Sequence, residues 1–190
     1  MTYEEADSLA DNFGRGLRVL GVKARDNVCM FADTRAEWMI SAQACFKQGL
    51  PLVTLYTNLG EEAVRHGLVE TEAETVVTSS DLLGKFVRIL SGDQDKVKTI
   101  VYFDNPVRRT KTDGFRSNLR LISYWDVVSL GKKTANNNLE NTSGEPEPPS
   151  PETPAIIMYT SGSTGPKETL IAGCRVSIML TVQEFLKALC

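Results

Sequence analysis

Aromatic residues make up only 7% of this 190-residue chain, and histidine occurs once, at position 66. Stacking of nucleobases needs aromatic faces, and proton transfer near neutral pH leans on histidine; both have little material here. Positive charge is not in excess either: 21 Lys and Arg stand against 24 Asp and Glu, a net charge of −3. Nucleic-acid binding depends on neutralising phosphates with a basic surface, so no nucleic-acid partner is expected. No uninterrupted apolar run approaches the roughly 20 residues of a membrane-spanning helix. The chain opens on an acidic, helix-like segment in place of a signal peptide. The four cysteines (Cys29, Cys45, Cys174 and Cys190) form no C-x-x-C pair. They read as reduced thiols, neither a disulfide framework nor a zinc site. A cytoplasmic protein is the expectation for the chain as sequenced.

What is present is an ordinary globular composition, 42% apolar and 24% charged, enough for one domain or part of a larger one. Thr2 followed by Glu5 is a capping-box start. Leu9, Phe13, Leu17 and Leu20 then recur at helical spacing, and Gly21 supplies the stop. Helical spacing returns at 34–48, 59–70 and 81–90, and short apolar runs at 27–32, 51–56, 74–79 and 98–103 have strand length. Short apolar strands alternating with helices indicate βαβ units and a layered parallel sheet flanked by helices, an α/β fold. Residues 105–118 are polar and basic, 119–122 read as a short strand, and 124–130 as a helical turn or two. Residues 132–154, rich in Asn, Glu and Pro, lack apolar groups to bury and read as a linker or disordered loop. Residues 155–159 restore a strand. The chain therefore divides into an α/β part (1–131), the linker (132–154), a strand plus loop (155–168) and a tail (169–190) with the periodicity of one helix.

The strand at 155–159 runs into Thr160, Ser161, Gly162, Ser163, Thr164 and Gly165, then Pro166 and Lys167. Gly162 and Gly165 allow backbone angles that let successive N–H groups converge on an anion. The hydroxyls of Thr160, Ser161, Ser163 and Thr164 add short donors, and Lys167 adds a point charge suited to polyphosphate. The spacing fits neither G-x-x-x-x-G-K-[ST] nor G-x-G-x-x-G. A plain Gly/Ser turn has the same composition, so composition leaves both readings open.

The run from Tyr159 to Gly165, followed by Pro166 and Lys167, resembles the ATP-phosphate loop of the adenylate-forming superfamily, Y-T-S-G-[ST]-T-G-x-P-K-G. That group includes acyl-CoA synthetases, firefly luciferase and nonribosomal-peptide adenylation domains. Thr34 to Phe46, Pro51 to Tyr56 and Leu59 to Leu68 are similar to eukaryotic long-chain fatty-acid–CoA ligases, and the likeness covers residues 1 to about 167. The resemblance implies the N-terminal part of the AMP-binding domain of such a ligase. Its reaction joins a long-chain fatty acid to coenzyme A through an acyl-adenylate, consuming ATP with Mg²⁺ and releasing AMP and pyrophosphate. It also implies that Thr160, Ser161, Gly162, Ser163, Thr164, Gly165 and Lys167 hold the β- and γ-phosphates. Association with the endoplasmic reticulum and other intracellular membranes is implied for the parent family.

The sequence departs from that pattern in three ways. Gly165 meets Pro166 with no residue between them, and Glu168 stands where the family has Gly. Dropping a residue moves Lys167 by up to ~3.5 Å, and Glu168 puts a like charge beside a polyphosphate site. Thr169 to Gly173 follows almost at once, as though several residues were skipped, and nothing familial appears from Cys174 to Cys190. The family's downstream motifs, its Mg²⁺-binding Glu and its catalytic Lys among them, have no counterpart here. The expectation is a ligase fragment with no catalytic residue or metal ligand of its own and little or no activity alone. The competing reading is a regulatory module that binds full-length ligase or weakly holds a nucleotide. A third reading is that no stable protein forms, because a sheet without strands contributed downstream has an open apolar edge prone to aggregation.

Four further features have plain structural readings. His66 falls in a helix with no nucleophile to serve. Trp38 and Phe46 share a helical face and suit a core. The pairs Glu4–Glu5 and Glu61–Glu62 complement helix dipoles from first turns. Arg108, Arg109 and Lys111 suggest a membrane-surface contact, yet three charges without a second anchor suit a solvated loop better.

Overall fold

The capping box forms as its spacing requires. The Glu5 N–H donates to Thr2 Oγ1 at 3.2 Å, and the Thr2 N–H donates to the Glu5 carboxylate at 2.7 Å. This satisfies two of the four N–H groups that a helix start leaves without partners. The computed structural model describes residues 1–92, 95–105, 107, 110–136, 149, 153–160 and 175–181. Helix α1 runs Tyr3–Val19 and is followed by β1 (Val28–Phe31), α2 (Ala36–Lys47), β2 (Leu52–Thr54), α3 (Glu61–Glu70) and β3 (Thr75–Ser79). A single 3₁₀ turn, Ser80–Leu82, leads into α4 (Leu83–Ile89), then β4 (Thr99–Phe103), β5 (Arg120–Ser123) and α5 (Tyr124–Asn136). Two further strands, β6 (Pro154–Thr160) and β7 (Arg175–Thr181), complete the described chain.

The seven strands form one sheet in the order β5-β4-β3-β1-β2-β6-β7. Strands β1 to β6 are parallel, and β7 runs antiparallel to β6. The α/β reading with a layered parallel sheet therefore holds. Alternate residues of β1 serve opposite layers. Val28 and Met30 join Phe13, Leu17, Ile40, Tyr124 and Val127 beneath α1, α2 and α5, while Cys29 and Phe31 join Val64, Leu68, Phe86 and Ile89 beneath α3 and α4. Burial on both faces is why the parallel strands read as continuous apolar runs. Trp38 and Phe46 pack against the first of these clusters, as their spacing suggests.

Two elements differ from the sequence reading. Helix α5 reaches Asn136, so residues 132–136 belong to a helix and not to the linker. The cause is packing against α1: Val127, Val128 and Gly131 face that helix, and Thr134 Oγ1 donates to the Leu130 carbonyl at 3.0 Å in the added turn. In the tail, residues 175–181 form β7 where a helix was expected. Val176, Ile178 and Leu180 alternate at strand period, and β6 offers an unpaired edge that only a strand can satisfy. That pairing also corrects the expected open edge beside β6. Residues 161–174 and 182–190 lie outside the described residues, as do Arg108, Arg109 and 137–148 of the linker.

Candidate functional site

In open α/β sheets, ligands bind outside the carboxyl ends of the strands. In this chain the Gly- and hydroxyl-rich sequence follows directly on β6, whose last residue, Thr160, closes the strand at that edge. It pairs in parallel with β2 through Leu52–Ile156, Val53–Ile157 and Thr54–Met158. Strand β2 ends at Thr54, so Tyr159 and Thr160 run past their inner neighbour into the crevice. On the other side, pairing with β7 shifts register between Met158 and Tyr159. Such an irregularity bends a strand and re-aims the residues that follow it.

Of the candidate site residues, the backbone of Thr160 closes β6 at the carboxyl edge. Ser161, Gly162, Ser163, Thr164, Gly165 and Lys167 lie outside the described residues. The residue before Thr160 is fixed firmly. Tyr159 is 3% exposed, lies among Val64, Leu68 and Leu55 under α3, and donates its hydroxyl to Glu70 Oε2 at 2.7 Å. His66, the single histidine, is half-buried on the same helix, and its Nε2 stands 3.6 Å from that same carboxylate oxygen.

A cleft of about 260 Å³ opens at the carboxyl ends of β1, β2 and β6. Its floor is apolar, from Met30, Trp38, Ile156 and Met158, and its rim is polar, from Asp33, Thr54 and Thr57. Thr57 Oγ1 donates to Asp33 Oδ1 at 2.6 Å, closing the gap between the loops after β2 and β1. From α4, on the other layer of the sheet, Lys85 donates to the Thr57 carbonyl at 2.8 Å with its ammonium 5.5 Å from the centre of the Phe31 ring. Arg35 lies further along the edge, 5.2 Å from the centre of the Phe103 ring and bound to Glu37 through two hydrogen bonds of 2.8 and 2.9 Å. The hydrogen bond from Arg35 holds the Glu37 carboxyl below the usual carboxylate range, and the same bond raises Arg35.

The edge thus presents a small apolar pocket with a braced polar rim beside the point where β6 runs out. Asp33, Thr57 and Lys85 were not singled out from sequence. The one local signal was that Asp33 and Thr57 fall just after apolar runs, where the carboxyl ends of strands are expected. Among the described residues, no group of three His, Cys, Asp or Glu side chains gathers in one place. No helix among them is long and apolar enough to cross a membrane.

A model of the AMP-binding enzyme family matches residues 1–167. Long chain acyl-CoA synthetase 8 of Arabidopsis thaliana is 37% identical over 173 residues, which is 90% of this chain and 23% of the relative. Long-chain-fatty-acid–CoA ligase 4 of Saccharomyces cerevisiae is 33% identical over 183 residues, 87% of this chain and 25% of the relative. This chain spans about a quarter of the length of these curated relatives. Among solved structures, the A domain of carboxylic acid reductase from Segniliparus rugosus, in complex with AMP and a co-purified carboxylic acid, superposes with a TM-score of 0.69. At 16% identity, covering 85% of this chain and 27% of that one, it supports the fold alone.

Proposed function

The chain belongs to the AMP-binding enzyme family, and we propose that it carries the part of a long-chain fatty-acid–CoA ligase that holds the phosphates of ATP. The observation behind this reading is that the buried parallel strand β6 ends with Thr160 at the carboxyl edge, where the sequence continues into Ser161–Gly165. In the whole-protein reaction, a fatty-acid carboxylate oxygen attacks the α-phosphorus of ATP, forming an acyl-adenylate and releasing pyrophosphate. The coenzyme A thiolate then attacks the acyl carbon, and AMP leaves as the thioester forms.

Residues 160–165 would hold the β- and γ-phosphates with amide and hydroxyl donors, and Lys167 would offset their charge. Mg²⁺, when bound, shields the phosphate oxygens; in nucleotide sites it is held by one or two carboxylates plus the phosphates themselves. The loop contributes positioning and charge, with no nucleophile of its own.

The same loop argues that this polypeptide does not complete the reaction by itself. Against the family pattern, the missing residue before Pro166 would move Lys167 by up to ~3.5 Å, and Glu168 would set a like charge beside the anion. With purified chain, palmitate, coenzyme A and Mg·ATP, palmitoyl-CoA should not exceed that made by a Lys167→Ala control. Clear excess over that control would overturn the inactivity. Should the chain instead co-purify with full-length ligase, and lose that partner when residues 169–190 are scrambled, a regulatory role would replace the nucleotide-holding one.

A further inference from the structure

We propose that Glu70 is a positioning residue for the phosphate-holding segment. By gripping the Tyr159 hydroxyl, it sets where and in which direction the chain leaves the sheet. The inference rests on the nucleotide reading above.

Three independent features converge on this pair. First, Glu70 is the last residue of α3, and the last turn of that helix carries no basic residue. A carboxylate there opposes the helix dipole. A local rule broken in this way marks a side chain kept for another purpose. Its partners are the Tyr159 hydroxyl at 2.7 Å and His66 at 3.6 Å.

Second, the ring of Tyr159 is buried among apolar residues, a place that a phenylalanine would fill equally well. The hydroxyl is therefore not explained by packing. A buried hydroxyl needs a partner, and the one it has on α3 lies 89 positions away in sequence.

Third, the register shift falls between Met158 and Tyr159, at the last point where β2 still supports the strand. Beyond Met158 the inner neighbour is gone and the outer pairing is irregular. Past that point only β7 pairs with the strand, through Tyr159–Val176 and Thr160–Arg175, and a side-chain tether at Tyr159 adds a hold on the inner side. A charge-assisted bond is the stronger kind for that task.

The test uses the 190-residue chain with Glu70→Ala, Glu70→Gln and Tyr159→Phe. It reads melting temperature, amide exchange across residues 156–165 and Mg·ATP affinity by calorimetry. Both Glu70→Ala and Tyr159→Phe should leave β1 and β3 protected while raising exchange at 159–163. Each should weaken Mg·ATP by about tenfold, the loss expected for one charge-assisted hydrogen bond. Glu70→Gln, which keeps an acceptor, should recover most of both effects. Unchanged exchange at 159–163 in Tyr159→Phe, with its ring packing intact, would overturn the proposal, as would exchange that rises with no change in affinity. Where Glu70→Ala fails to fold, Tyr159→Phe decides. If the wild-type chain binds no Mg·ATP, the nucleotide reading fails, and the exchange arm alone decides whether Glu70 holds the strand exit.

Discussion

Gly131 of α5 lies so close to Asn12 of α1 that a Cβ built on it would stand 1.8 Å from the Asn12 carbonyl oxygen. Four residues earlier on α5, the Val127 carbonyl would stand 2.1 Å from a Cβ placed on Gly16 of α1. The two helices cross where each lacks a side chain, with backbone against backbone. Neither obstacle is the flexible end of a side chain, so it cannot swing away. Gly131→Ala should therefore cost at least the 1–3 kcal/mol typical of overpacking, or about 3 kcal/mol here. Chemical denaturation would show the midpoint fall, and an unchanged midpoint would mean that the helices sit further apart than described.

The Asp95–Arg116 pair is a second point of fragility. The Asp95 side chain is 2% exposed and accepts from Arg116 at 2.8 and 3.2 Å. Arg116 also donates to the Val97 carbonyl, so one guanidinium ties the segment before β4 to the loop before β5. Removing one partner strands the other charge. Asp95→Ala should destabilise by about 3 kcal/mol, the low end for a broken buried pair, because Arg116 keeps 30% of its side chain exposed. Asp95→Asn, which retains an acceptor, should cost clearly less in the same unfolding experiment.

Acid should weaken the fold partly through Glu37. Its carboxyl is held low by the Arg35 hydrogen bond, so its folded value lies below its unfolded one. Its contribution is present above the unfolded value, near pH 4.5, and is lost as the pH falls through the folded value. The pair is partly solvated, at 35% and 22% side-chain exposure, so its worth is under about 1 kcal/mol. Between pH 7 and pH 3, wild type should lose slightly more melting temperature than Glu37→Gln does. Equal losses would remove Glu37 from the acid response.

Cys29 and Cys45 should be inert. Both are fully buried, and burial pushes each thiol up to about 12. The thiolate is the reactive form. Maleimide at pH 8 should leave the peptides bearing Cys29 and Cys45 unlabelled until denaturant is added, as read by peptide mass spectrometry. Labelling in the native state would expose an opening of the β1 or α2 layer.

Most of the sheet was legible in the sequence because parallel strands buried on both faces leave unbroken apolar runs, as at Val28–Phe31 and Thr99–Phe103. The capping box at Thr2 and the strand entering the Tyr159 segment were legible for the same reason: their signals are local. What escaped was non-local. Strand β7 owes its form to the edge of β6, which no window around residues 175–181 contains. The last turn of α5 depends on Gly16 and Asn12, more than a hundred residues upstream. The grip of Glu70 on Tyr159 and the Lys85–Thr57–Asp33 hydrogen bonds join distant segments whose residues look unremarkable alone.

Titration of the chain with Mg·ATP is the most direct trial of the phosphate-holding role. It should be run beside Lys167→Ala and a variant with one residue inserted between Gly165 and Pro166 together with Glu168→Gly. Saturable binding is expected, weakened about tenfold by losing the lysine's charged hydrogen bond and tightened by the restored spacing. No saturable heat in wild type or in the restored variant, or binding indifferent to Lys167, would contradict it.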